Sequence, residues 1–394
     1  MPATRHGAAG LIASAALAGC VLGSQPQADR AFEVSAAWIG DRAAVAWYGG
    51  HLAHEALFLG WIDARGRTVE PPLQLTDASR DAFEPSLQQL EGDALLAWYE
   101  QQPGAAGAPS RQLAWLARVD TEGRVQWRRQ LSTDGVRGRI PVVRVAGAVI
   151  HAAWLEQRGG ELPLLRVASL DAAGNWLRAA RDAAPAGLQT WNLNAAVDLH
   201  GRFHVVFDSE AGSRARELHW VVADGEELVH RPLRTDDGHA SVFPDIAMSG
   251  SRYAVSWVDS SDGNDEVYLG CGELGAGDAP ATSLPATLAT AHRVTHSASQ
   301  SMGAYATWHA GEIELAWIES NGPRSHLWRQ RFDRDCRPRS TAQRVRARGD
   351  AGIPSLASSP QGLLLAWNAM RGPVSVVQLK VWPTLAVSPS AAAR

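Results

Sequence analysis

Asp259, Asp262, Asn264 and Asp265 crowd four oxygen-bearing side chains into one short run, the donor type that a hard cation such as Ca²⁺ prefers. The run does not follow the EF-hand spacing, and Asp262-Gly263 is also an ordinary turn pair, so no metal is assigned to it. His51, His54 and Glu55 form H-L-A-H-E, a zinc half-site by residue type but not in the helical H-E-x-x-H order. Glu100, Glu156, Asp259 and Glu319 each lie two places after an aromatic residue. Paired carboxylates can cleave glycosides when their separation is right, but acids that recur at one offset are placed by a repeat and read as residues that pin a loop. Arg80, Asp81, Arg137, Arg139, Asp236, Asp237, His239, Arg348 and Asp350 fall instead in irregular segments. Their mixture of charges suits a grip on an anionic or sugar ligand. No G-x-x-x-x-G-K-[ST], G-x-S-x-G or C-x-x-C occurs, so phosphate-loop, serine-elbow and thioredoxin chemistry lack support, and no cofactor is expected.

The elements that must carry these residues come from an internal repeat. A Gly turn followed by an apolar run ending in an aromatic recurs at Trp47, Trp98, Trp154, Phe207, Trp257, Trp317 and Trp367. Each has its glycine shortly before it, at Gly40, Gly92, Gly147, Gly201, Gly250, Gly311 and Gly362. Pro85, Pro141, Pro244 and Pro354 share one offset, and Ala31-Phe32-Glu33 matches Ala82-Phe83-Glu84. The Pro-to-Gly and Gly-to-Trp segments read as two strands of a tight hairpin. Asp63–Gly66, Asp120–Gly123 and Asp171–Gly174 mark a second hairpin turn between a third and a fourth strand. Four antiparallel strands in roughly 53 residues make one propeller blade. The expected fold is therefore all-β: a seven-bladed β-propeller of four-stranded antiparallel blades over residues 31–394. Runs such as Leu95-Leu96-Ala97-Trp98 are apolar on both faces, as strands packed on both sides are. The tryptophans thus read as packing between blades, which accounts for sixteen Trp against five Tyr and seven Phe. Blade seven lacks an obvious fourth strand; Thr384–Pro389 or the amino-terminal segment could supply it.

A net charge of −4 argues against a nucleic-acid partner. Residues 1–19 have the layout of a secretory signal peptide, with Arg5 and His6 before an apolar run, Ala8 to Ala18, that is too short to span a membrane. Leu17-Ala18-Gly19-Cys20 resembles a bacterial lipobox, which implies acylation of Cys20, with palmitate-type chains, and cleavage before it. Residues 20–30 then form a lipidated tether, and Val21 after the cysteine leans the address toward the outer membrane, on its periplasmic or surface side. In an oxidising envelope Cys271 and Cys336 are candidates for a disulfide or remain two thiols.

The repeats resemble those of bacterial sialidase-like secreted propellers, whose blades run T…P…G..LAW.D. That resemblance implies a propeller over about residues 31–382 and, as one reading, a glycoside hydrolase or lyase. Ser169 to Trp176 (S-L-D-A-A-G-N-W) approaches a sialidase box with its glycine one place late, and Arg139-Ile140-Pro141 is the nearest fragment to the sialidase start motif. Val119 to Trp127 resembles one signature of the eight-bladed propeller lipoprotein of outer-membrane barrel assembly, which would imply a scaffold role. The reading that the residues favour is a monomeric, non-enzymatic envelope lipoprotein that binds a protein or glycan. The mature amino terminus tests its first premise: intact-mass and peptide spectra should show an acylated Cys20, whereas a free Ser24 or Gln25 start would refute lipidation.

Overall fold

The computed structural model describes residues 21–22, 30–50, 54–77, 80–104, 110–211, 215–234, 237–275, 288 and 291–384. These form seven sheets of four antiparallel strands each. The fold is a seven-bladed β-propeller, not the eight-bladed one that the barrel-assembly resemblance implied. The innermost strands are Arg30–Ile39, Asp81–Leu90, Arg137–Ala146, Gln189–Val197, Ser241–Ser249, Gln300–His309 and Asp350–Ser359. Each turns at its glycine into the second strand, and Gly40, Gly92, Gly147, Gly201, Gly250 and Gly311 take the positive φ that this hairpin needs.

Blade seven is completed from the other end of the chain. Val21–Leu22 pairs with Val374–Pro383, placing Val21 opposite Gln378 and Leu22 opposite Val377. The segment read as a tether therefore contributes a strand. Thr384 lies beyond the last strand, with its amide on the Gln361 carbonyl at 3.1 Å, and residues 385–394 fall outside the described range.

The core is divided into seven clusters, each shared by two neighbouring blades, and one of them joins blade one to blade seven. The repeated aromatics sit in these clusters: Trp154, Phe207 and Trp257 expose 0% of their surface, Trp98 and Trp367 2%. Burying such a side chain stabilises by roughly 1.5–3 kcal/mol, so the Trp series is committed to the blade-to-blade contacts. Opposite them on the third strands stand Phe58, Trp115, Arg166, His219, Tyr268, Trp328 and Gln378. Where Phe207 replaces tryptophan, the site accommodates His219, stacked on Phe207 at 5.2 Å and joined to His230 by a 3.0 Å contact.

The acids two places after the aromatics tie loops down. Glu100, 1% exposed, accepts from the Trp98 indole at 3.1 Å and the Arg128 guanidinium at 2.6 Å. Glu156 accepts the Thr133 amide at 2.7 Å. Asp259 accepts from the Ser241 hydroxyl, Arg234 and the Trp257 indole. The Asp-x-x-Gly turns also repeat their bonding: in one, Asp171 accepts the Asn175 and Ala173 amides, and these bonds, with the Asn175 side chain, hold its carboxyl below the ordinary range. A fourth such turn, Asp333 to Cys336, puts cysteine where the others have glycine, at a φ of 61°. A disulfide joins Cys336 to Cys271, with their Cα atoms 5.7 Å apart, and fastens blade five to blade six.

Two stability predictions follow from this bonding. Replacing the bridge by Cys271→Ala with Cys336→Gly should cost about 2–4 kcal/mol in denaturant unfolding, and Cys336→Ala in its place should cost more, because alanine disfavours that φ. Removal of the Glu100 carboxylate by Glu100→Ala strands the buried Trp98 indole donor, while Arg128 keeps access to water, and should cost about 1–3 kcal/mol; no measurable loss would show that the acid is not a structural pin.

Candidate functional site

The inner strands all bend near their entry into the sheet. In each the pairing register shifts by one residue, a β-bulge, which re-aims the side chain beside it. The bulged residues Glu33, Glu84, Ile140 and Phe243 take positive φ values of 29°, 52°, 50° and 53°, and Gly303 takes 60°. The proline at one offset now has a reason: Pro85, Pro141, Pro244 and Pro354 follow the bulge, where a proline lacking an N–H is tolerated. The bulges turn Glu33, Glu84, Ile140, Phe243 and Ile353 toward a central cavity of about 580 Å³.

Just past the bulges, side chains stitch one blade to the next. The Ser35 hydroxyl accepts the Leu87 amide at 3.0 Å, Ser86 accepts Val143 at 3.2 Å, and Ser355 accepts Ala36 at 3.0 Å across the ring closure. Asp245 accepts Ala306 at 2.8 Å in the same way. At the equivalent place blade three has Val142, which offers no acceptor. Arg144 spans that boundary instead, donating to Asn194 at 2.7 Å and to the Val143 carbonyl at 2.8 Å. Burial pushes the Arg144 guanidinium down to about 10 against the pull of Asp245, and burial lifts Asp245 to about 6 against the Ala306 amide and Arg144. The Tyr305 hydroxyl is raised by burial and by Asp245, Glu33 and Glu84.

At the cavity mouth between blades one and two the environment is different. Phe32, Tyr48, Phe83 and Tyr99 form a staircase of rings, with centroids 5.6, 5.2 and 5.2 Å apart. Beside it stand the two glutamates. One Glu84 carboxylate oxygen, Oε2, is buried and has no hydrogen-bond partner. Burial raises Glu84 to about 8, the Glu33 charge adds to this, and Arg139 opposes it. Burial also raises Glu33. The Tyr48 and Tyr99 hydroxyls are raised by burial and then by both glutamates, so the four groups share one field.

The residues singled out from the sequence are mostly engaged elsewhere. Asp81 accepts the Glu55 amide at 3.0 Å and contacts the His54 ring at 3.3 Å. Arg80 lies 3.5 Å from Glu100. Asp237 accepts the His239 amide, with the His239 ring exposed, and pairs with Arg234 at 3.5 Å. The Arg348 backbone is clamped by Gln378, and Asp350 accepts the Ser325 amide. Arg137 is exposed at the start of its strand. None of these lines the cavity; Arg139 alone acts on a residue that does. Asp236, His51 and Cys20 lie outside the described residues.

The oxygen-rich loop is likewise occupied by protein donors. Asp262 accepts from Tyr268 and Arg293, each at 2.7 Å, and Asp259 from Arg234. Asn264 turns its amide nitrogen to the Ser297 and Ser299 carbonyls. Among the described residues no group of three or more His, Cys, Asp or Glu side chains could hold a metal ion. The loop is a hydrogen-bonded turn.

Sequence reasoning passed over Glu33, Glu84, Arg144, Asp245 and Tyr305. The first two were signalled by the shared Ala-Phe-Glu, taken only as a mark of the repeat; no local pattern announces the other three.

No protein-family model matches the chain, and no curated protein matches it. Among solved structures it is similar to the α-L-arabinanase of Penicillium chrysogenum complexed with arabinobiose, at 14% identity over 77% of this chain and 93% of that one, TM-score 0.51. It is similar to a Hadza microbial sialidase at 11% identity, over 88% of this chain and 74% of that one, TM-score 0.51. A prolyl endopeptidase structure aligns at 15% identity and TM-score 0.54 over 91% of this chain, which spans about half (49%) of that one. At these identities the likeness is one of fold alone: the β-propeller architecture that sialidase- and arabinanase-type proteins also have, built in this chain from seven blades.

Proposed function

We propose that this protein is a membrane-anchored envelope lipoprotein whose propeller binds a protein or glycan ligand at the mouth of the central channel, without turning it over. The observation that carries this reading is the buried, unpartnered Glu84 oxygen among the residues lining the cavity. An orphaned buried polar atom costs roughly 1–3 kcal/mol, more if charged; oxygens of Glu100, Glu156 and Glu314 are orphaned as well, but Glu84 differs from them in lining the cavity, where a ligand can supply the partner. The sialidase-like alternative needs an arginine triad facing the acids. Among the residues lining the cavity Arg144 is the one arginine, and its guanidinium already bonds Asn194 and Val143.

The bulge position at the mouth differs from blade to blade, apart from the glutamates shared by blades one and two. Phe243 is 46% exposed there, and Trp191, 40% exposed, is the bulged residue of blade four beside Arg216. Exposed aromatics beside polar groups are the usual furniture of a recognition surface.

Affinity purification of the full chain from detergent-solubilised envelopes, paired with a glycan array, tests the reading. The chain should retain a ligand that Phe243→Ala together with Glu84→Gln loses by at least about tenfold, and that Leu177→Ala, on an outer strand, keeps. Retention that depends on Leu177 and ignores the mouth would overturn the assignment of the face. Turnover of any member of a glycoside panel would overturn its non-enzymatic character.

A further inference from the structure

We infer that the channel mouth between blades one and two is a binding site for an organic ammonium group, held by the Glu33 and Glu84 carboxylates beside the Phe32–Tyr48–Phe83–Tyr99 ring staircase. The inference deepens the reading of the mouth as the binding face and names the chemistry of what it takes.

Four observations converge. Glu33 and Glu84 occupy the same bulge position in successive blades, so the repeat itself delivers two like charges to one rim. Two acids brought together out of water cannot both stay ionised unless a cation compensates them; otherwise one holds a proton. The chain provides none at contact: among the described residues neither glutamate makes an ion pair, and Glu84 Oε2 is buried with no partner. Arg139 acts on Glu84 only through its field. Four aromatic rings lie in the same field, and aromatic rings beside carboxylates are the setting that ammonium groups prefer. The cavity that the two glutamates line is wide enough for an alkyl chain behind the charge, with Ile140, Ile353 and Phe243 supplying apolar wall.

A metal ion fits less well. A hard cation wants six to eight oxygens around it, and among the described residues no cluster of three or more metal-ligating side chains exists. A neutral sugar brings no charge to favour the ionised form of Glu84, so its binding would not rise with pH as that of an ammonium must. The ammonium could belong to a small diamine or to a lysine side chain on a slender peptide; the chemistry is the same, and the test separates them.

Proton linkage supplies the readout. The charged groups acting on the site are Glu33, Glu84, Arg139, Tyr48 and Tyr99, with Glu55 acting on Tyr48 and with Asp245, Arg144 and Tyr305 deeper in the cavity. Burial, with the Glu33 charge, pushes Glu84 up to about 8, so near neutrality it carries a proton that the ammonium must expel. Alkylammonium ions stay charged throughout this range. Affinity therefore rises with pH, by about tenfold per unit below pH 8, and flattens above it.

Calorimetric titration of the full chain in detergent decides it, with cadaverine, tetramethylammonium, an N-acetyl-lysine-amide peptide model, arabinobiose and Ca²⁺ as separate probes. The expected result is one-to-one binding of at least one ammonium probe, with affinity rising about tenfold from pH 6.5 to 7.5 and proton release revealed by buffers of different ionisation heat. Glu84→Gln should weaken it at least tenfold and flatten the pH profile; Arg139→Gln should tighten it. Preference for cadaverine or for the lysine model identifies the source. Absence of ammonium binding at pH 8.5, equal binding by a folded Glu84→Gln variant, or binding of Ca²⁺ or arabinobiose in place of the amines would each overturn the inference. A ligand captured from envelopes through the mouth alongside a failed amine titration would reject the ammonium and leave the binding face standing.

Discussion

The structure depends on a hydrogen bond between a side chain on one inner strand and a backbone amide on the next. Seven twisted sheets cannot share hydrogen bonds along their faces, since each sheet is complete within its blade. What holds their inner edges in register is the stitch from Ser35 to Leu87, Ser86 to Val143, Asp245 to Ala306 and Ser355 to Ala36. Each contributes only about 0.5–1.5 kcal/mol, far less than the aromatic clusters outside them. Their value is positional: they fix the radius at which the bulges project. A bulge a residue further along would present a different side chain to the cavity, because successive residues of a strand face opposite ways.

The places where the stitch fails are the places where the cavity acquires character. Val142 has no acceptor, and Arg144 bridges the gap at the expense of burying a guanidinium. Tyr305 stands at the same place in blade six and extends a hydroxyl toward the acids. The regular part of the repeat thus makes a ring, and its exceptions make that ring asymmetric. At the bulge positions carboxylates lie on blades one and two and apolar residues on blades three, five and seven, while Asp245 of blade five lies deeper.

This division explains what could be read from the chain before its structure. Strand number, hairpin glycines and the packing role of the tryptophans are set by local propensity and burial, which recur seven times and so reinforce one another. The pinning role of Glu100 and Glu156 was legible for the same reason. The cavity was not. Arg80, Asp81 and Asp350 looked available because they were read as loop residues, yet Arg80 lies against Glu100 of its own blade, and Asp81 and Asp350 open inner strands and accept amides from the preceding blades. Glu33 and Glu84 looked structural because they repeat. Whether a repeated residue faces a neighbour or the axis depends on the bulge, and a bulge leaves little trace in one strand's sequence beyond a proline after it. The fourth strand of blade seven was open for a related reason: two residues carry too little pattern to declare a strand.

That two-residue strand sets how the molecule answers to force. Val21 and Leu22 are the outermost strand of the last blade, one residue from the cysteine proposed to enter the membrane. Tension applied through an anchor there reaches no loop that could extend first; it falls on the edge of a sheet whose remaining three strands are closed by the cluster between blades seven and one. The strand would peel away before the ring opened. Were Cys20 anchored as proposed, such an attachment would act as a mechanical fuse, giving way at one short strand while the channel keeps its shape.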